Sequence, residues 1–222
     1  MTPTSPVLHV VDDDASFRMA LGRLLRASGY QVILYDSGDD FLQRPPGGEP
    51  GCILLDIRMP GLSGLELQGR LRKMDSILPI VFLTGHGDIP TSVRAIKAGA
   101  EDLLTKPVEK RVLLEAVERA LARCRERRAE HERLDGLRAL LAALTARERE
   151  VFELVVRGRL NKQIAHALGT SERTIKAHRH SIMQKLQVQS VAEAVSIAER
   201  LGILAPSLDS PAQSEWLSGS ND

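Results

Sequence analysis

The chain has 222 residues, 43% hydrophobic and 27% charged, with a formal net charge of +1 and two cysteines. This composition excludes a disordered chain and a disulfide framework, and the length fits one ordinary domain plus a smaller one. No apolar run approaches a membrane span and no signal pattern opens the chain, so a cytoplasmic protein is expected.

The first half alternates short apolar runs with helical patterns. Strands are predicted over 7–11, 31–35, 52–56, 80–84 and 102–105. Helices are predicted over about 15–28, 39–42, 64–73 and 91–98. Gly29 and Gly99 stop two of them, and the loop RPPGGEPG follows the short second helix. Five β/α units predict a doubly wound parallel sheet, and the order 2-1-3-4-5 puts the switch point between strands one and three. From Pro107 a long helical stretch carries Leu114, Val117, Leu121 and Cys124 on one stripe. The run RERRAEHER reads as a solvated helix or linker, because its acids interleave with its bases. Leu134, Leu137, Leu141 and Leu144 resume the stripe, with Gly136 as a candidate break.

From Thr145 only short helices are predicted. Thr145 with Glu148 forms a capping box, Asn161 and Ser171 are candidate caps, and Ser190 with Glu193 opens the last helix. The tail from residue 205 is Ser/Pro-rich and is expected to be disordered. Charge is unevenly spread: the net is −2 over residues 1–108, +2 over 109–144, +4 over 145–204 and −3 over 205–222. A mildly basic C-terminal module permits nucleic-acid binding.

The chemistry lies at strand ends. The first strand runs into Asp12, Asp13 and Asp14; the third ends on Asp56, the fourth on Thr84, and Lys106 follows the fifth. Ligands of open α/β sheets gather at the carboxyl ends of the strands. Each residue alone has an ordinary explanation: Asp14 as a helix cap, the other aspartates as solvated acids, Lys106 as a surface lysine. Four strand ends agreeing is much harder to explain that way. Clustered carboxylates require a cation, and oxygen-only ligands select a hard one, Mg²⁺. A carboxylate beside it is a nucleophile toward phosphorus, and Lys106 and Thr84 suit phosphoryl oxygens.

The strings VVDDD, LLDIRMPGLSGLEL, IVFLTGHGD and KAGAEDLLTKPV closely resemble a response-regulator receiver domain over about residues 6–125. The resemblance implies that Asp56 accepts phosphate from a sensor histidine kinase. It implies Mg²⁺ held by Asp12, Asp13, Asp56 and the Arg58 backbone carbonyl, with Thr84 and Lys106 on the phosphoryl oxygens and a cis Lys106–Pro107 bond. Aspartyl-phosphate hydrolases resembling the haloacid-dehalogenase family carry an acid/base aspartate two residues after the nucleophile. Arg58 stands there instead, which favours a switch over a phosphatase. Receivers often carry an aromatic residue three positions before the lysine; here it is Leu103. A homodimer through the fourth helix and fifth strand is expected, with Val93, Ile96, Lys97, Glu101 and Asp102 as its surface.

In the C-terminal part, KQIAHAL, the GTS turn and ERTIKAHRHSIMQKL have helix-turn-helix spacing. Ile175, Ile182 and Leu186 fall on the core side. Thr174, Lys176, Ala177, Arg179 and His180 fall on the side that enters a major groove. Residues 138–204 resemble a LuxR-type DNA-binding domain, and the whole chain is similar to the FixJ-like group of the NarL/FixJ response regulators. By that resemblance Lys176, Ala177 and His180 lie nearest the bases, and Lys162, Arg173, Thr174 and Arg179 near phosphates. The expected organisation is a receiver over 1–125, a helical linker over 126–137 and a DNA-binding domain over 138–204. The expected partners are double-stranded promoter DNA and RNA polymerase, with no membrane.

Overall fold

The computed structural model describes residues 5–85 and 89–204. Its parallel strands are β1 (Val7–Val11), β2 (Gln31–Tyr35), β3 (Gly51–Asp56), β4 (Ile80–Thr84) and β5 (Asp102–Thr105), in the order β2-β1-β3-β4-β5. Between them lie α1 (Ala15–Ala27), α2 (Gly38–Gln43), α3 (Gly64–Lys73) and α4 (Ile89–Lys97). Then follow α5 (Lys110–Ala142), α6 (Ala146–Val156), α7 (Asn161–Ala167), α8 (Glu172–Lys185) and α9 (Val191–Arg200). The chain divides into two compact units, residues 1–130 and 131–222. No helix among the described residues is long and apolar enough to cross a membrane.

In the first unit β1, β3 and β4 are buried throughout, as strands covered on both faces must be. Alternation along them feeds two cores. Val11, Ile53, Leu55 and Phe82 pack with Phe41 of α2 and Leu67 and Leu71 of α3. Leu8, Val10, Leu54, Val81 and Leu83 pack on the other face with Leu21 and Leu25 of α1 and with Leu113, Val117 and Leu121 of α5. Register is continuous across the switch point, with Val11 beside Leu55 in β3 and beside Tyr35 in β2. Asp12 and Asp56 therefore leave the same edge side by side. In the second unit α6–α9 close over Val151, Phe152, Ile164, Ile175, Ile182, Leu186 and Ile197.

Helix starts follow the expected chemistry at most positions. Asp14 caps α1 by accepting from the Ser16 and Phe17 N–H groups at 2.8 and 3.1 Å. Thr145 with Glu148 forms a capping box, and Ser171 and Ser190 cap α8 and α9. Asn161 does not cap α7. Leu160 holds the cap position, and the Gln163 side chain accepts from its N–H at 3.0 Å. Gln163 reaches back one turn and meets that orphan donor, so Asn161 becomes the first helical residue. Gly136 does not break α5, which runs through it. One glycine costs about 1 kcal/mol in a helix, too little to interrupt this one. The expected disordered tail lies outside the described residues.

The core of the first unit contains an imidazole. His9 on β1 is buried, with Nδ1 3.1 Å from the Tyr35 hydroxyl, which itself donates to the Arg44 carbonyl at 3.3 Å. That chain assigns the imidazole proton to Nδ1. Burial, only partly opposed by the Glu49 carboxylate, lowers the His9 pKa from the usual 6.5 to about 4. The unfolded chain thus takes up this proton near pH 6.5 and the folded chain only near 4, so stability falls as pH drops through that window. Replacing His9 with Gln should remove up to roughly 3 kcal/mol of that pH dependence. Thermal unfolding of both proteins between pH 7 and 4.5 measures the difference. Parallel profiles would contradict a buried neutral imidazole.

Candidate functional sites: an acidic pocket and a helix-turn-helix

At the carboxyl edge of the sheet, Asp12, Asp13 and Asp56 each bring a carboxylate oxygen within 4.8 Å of the others. Asp12 and Asp56 are buried and Asp13 is exposed. Lys106 Nζ sits between the two buried acids, 2.6 Å from Asp12 Oδ2 and 2.8 Å from Asp56 Oδ2. The remaining oxygens are also engaged: Asp12 Oδ1 accepts from the Asp14 N–H at 3.0 Å, and Asp56 Oδ1 from the Arg58 N–H at 3.3 Å.

Burial pushes the Asp12 carboxyl above its usual range despite the Lys106 ammonium against it. Burial also works against charge on Lys106, but its hydrogen bonds to Asp12 and Asp56 outweigh that and hold its pKa above the ordinary lysine value. The lysine therefore stays charged. Lys106 follows β5 directly, its bond to Pro107 is cis, and its N–H donates to the Thr84 carbonyl at 2.7 Å. Thr84 is buried at the end of β4. Gly64 is needed where α3 begins, because a β-carbon there would run into the Asp56 carbonyl oxygen.

Two pocket residues have no counterpart among the residues expected from sequence. The Phe17 ring lies 4.3 Å under Lys106 Nζ, and Arg18 Nη1 donates to the Asp12 carbonyl at 2.6 Å. Both occupy the first turn of α1. Their signal was available as an aromatic–basic pair following the acidic run, but only the packing of α1 turns it toward the lysine.

The second unit carries the paired helices. α7 and α8 meet through Ile164 and Ile175, both fully buried. Arg173, Thr174, Lys176, Ala177 and His180 are exposed on α8, and Arg179 is half-buried; Lys162 is exposed on α7. The helix offered to solvent is held from beneath by Glu148. This carboxylate accepts from Ser181 Oγ at 2.6 Å, from Lys185 Nζ at 2.6 Å and from the Thr145 N–H at 2.8 Å. Those bonds, the Lys185 one foremost, lower its pKa to about 2.

Residues 8–118 match the response regulator receiver domain family, and residues 142–198 match the bacterial regulatory proteins of the luxR family. The chain belongs to the FixJ-like two-component response regulators. It is 42% identical over 202 residues to nodulation protein W of Bradyrhizobium diazoefficiens, covering 91% of this chain and 89% of that one. It is 40% identical over 197 residues to the transcriptional regulatory protein FixJ of the same organism, covering 89% and 96%. Among solved structures it is similar to the response regulator StyR, with a TM-score of 0.71, 48% identity and coverage of 89% of this chain and 100% of that one. It is also similar to full-length FixJ from B. japonicum, with a TM-score of 0.55, 40% identity and coverage of 90% and 99%. This regulator thus joins a receiver to a LuxR-type DNA-binding domain and acts in two-component control of transcription.

The departure at Leu103 has a structural setting. Leu103 pairs in register with Phe82 and packs, half-buried, against the core beneath α3 and α4. An aliphatic residue there offers no ring to rotate inward.

Glu148 ties α6 to α8 while it is ionised. Because its folded pKa lies below the usual 4.5, the stability it adds is complete above that value and is lost as pH falls toward 2. Glu148→Gln should cost the DNA-binding unit about 2 kcal/mol at pH 7, the scale of hydrogen bonds to a charged group. Urea unfolding followed by a probe in that unit reads the loss. A change within ~0.5 kcal/mol would mean that the network is not an anchor.

Proposed function

We propose that Asp56 accepts a phosphoryl group from a phosphohistidine of a sensor kinase, and that the modified receiver pairs with a second copy so that two DNA-binding domains engage promoter DNA. The observation that carries this reading is the placement of Lys106 Nζ within 2.8 Å of both Asp12 and Asp56 beside the third acid. In the transfer an Asp56 oxygen attacks phosphorus, the O–P bond forms, and the N–P bond breaks with imidazole as leaving group. Lys106 neutralises charge on the equatorial oxygens and the Thr84 hydroxyl hydrogen-bonds one of them. The three carboxylates fit a hard divalent cation, with Asp12, Asp13, Asp56 and the Arg58 carbonyl as its ligands. Bound there, Mg²⁺ supplies further positive charge for the phosphoryl oxygens. Arg58 offers no general base to a hydrolytic water, which suits an acyl phosphate that persists as a signal.

The pairing surface we assign is the face of α4 and β5. Val93 and Ile96 are 44% and 48% exposed there, beside Lys97, Glu101 and Asp102. An apolar patch with a charged rim of both signs suits an isologous contact. We take residues 1–125 as the receiver, 126–137 as linker and 138–204 as the DNA-binding domain, working in the cytoplasm and acting on RNA polymerase as an activator. On DNA, Lys176, Ala177 and His180 face base edges, while Lys162, Arg173, Thr174 and Arg179 face phosphates.

Beryllofluoride with Mg²⁺, which mimics phosphoaspartate, should raise DNA affinity by about 5–150-fold, the usual range of such coupling, and promote dimers in gel filtration. Asp56→Asn should abolish both responses. An unchanged response in that variant would refute the switch. At the DNA, Lys162→Ala should weaken binding to all sequences alike and lower the salt slope by about 1, whereas Lys176→Ala should relax preference at one base position. Salt titrations on cognate and scrambled duplexes separate the two. The reverse pattern would exchange their roles.

A further inference from the structure

An apolar groove opens on the second unit between the end of α5, α6 and the turn that follows α9. It encloses about 400 Å³ over a floor of Leu141, Phe152, Leu201 and Ile203, with Arg138, Arg149 and one acid, Glu153, at its rim. None of the expected DNA-contacting residues lines it. Among the described residues Arg138 pairs with an exposed i,i+3 partner, Asp135, at 2.8 Å, a pairing that holds the guanidinium weakly. With two arginines against one glutamate the rim is net cationic, and an apolar trough of that kind suits an aromatic or aliphatic anchor beside a carboxylate.

The chain supplies such a segment directly beyond the groove. Residues 205–222 contain no Lys or Arg, three acids, and the sequence Glu215–Trp216–Leu217, in which Trp216 is the protein's only tryptophan. Ile203 itself lines the groove, so the tail departs from its edge. Trp216 lies twelve residue steps beyond Leu204, and a chain of that length spans up to roughly 40 Å, ample for a return to its own starting point.

We propose that the tail folds back as an intramolecular clip, with Trp216 and Leu217 on the apolar floor and Glu215 against Arg138 and Arg149. The clip ties the end of α9 to α5 and α6 and covers an apolar face of the DNA-binding unit. The occupant is the tail of the same chain rather than a second copy, because attachment at the groove's edge gives the tail a high effective concentration.

The single tryptophan makes the test direct. In the full chain, Trp216 emission should lie to the blue of that of a synthetic peptide of residues 205–222. Its acrylamide quenching constant should be at least threefold lower and independent of protein concentration. Glu215→Lys, which changes only the tail, should raise the quenching toward the peptide value, and combining it with Arg138→Glu and Arg149→Glu should restore protection. Peptide-like quenching in the full chain would overturn the proposal. So would protection indifferent to these charge changes, which would place Trp216 elsewhere. Protection that grows with protein concentration would assign the groove to a second copy and equally overturn it.

Discussion

One ammonium group between two buried carboxylates holds the receiver's functional edge together. Asp12 and Asp56 leave neighbouring strands at the point where the sheet reverses its winding, and Lys106 closes the gap with bonds of 2.6 and 2.8 Å. Two buried like charges repel, and a buried carboxylate alone is strongly disfavoured. Burial accordingly raises the pKa of Asp12 even with the lysine present. Much around the pocket serves this arrangement. Arg18 fixes the Asp12 backbone, Phe17 packs under the ammonium, and Gly64 lets α3 start against the end of β3.

The DNA-binding unit uses a buried carboxylate for the opposite purpose. Both oxygens of Glu148 are taken up by Ser181, Lys185 and the Thr145 N–H, and its pKa falls to about 2 instead of rising. Burial dominates at Asp12 and hydrogen bonding dominates at Glu148. The second site uses its charge for structure and fixes α8 from behind. The face of α8 that carries Lys176 and His180 is left exposed to solvent.

Membership of the FixJ-like regulators places a receiver and a DNA-binding domain in one signalling chain, and Leu103 stands where receivers often carry an aromatic residue. The half-buried position paired with Phe82 is aliphatic. The Thr84 carbonyl accepts the Lys106 N–H, which ties the ends of β4 and β5 together at the pocket. The exposed Val93 and Ile96 lie on the helix that follows β4, the strand that Thr84 ends.

The order of strands and the identity of the acidic edge were legible in the residues, because buried parallel strands are short apolar runs and their carboxyl ends are where polar residues resume. The capping aspartate, the Thr145–Glu148 box and the core side of α8 were legible for the same local reason: each depends on neighbours within one turn. Asn161 and Gly136 were misjudged because more than one residue type can satisfy a helix start, and because one glycine is a weak breaker inside a long helix. Contacts between distant segments were not legible. Nothing in the spacing shows that Lys106 bridges both Asp12 and Asp56, that Phe17 lies under it, that His9 is buried against Tyr35, or that Lys185 completes the Glu148 network. Those pairings join residues far apart along the chain, and their distances exist only once the sheet and the helical bundle have closed. Local chemistry thus chose the elements and the reactive groups, and long-range packing chose which charge faces which.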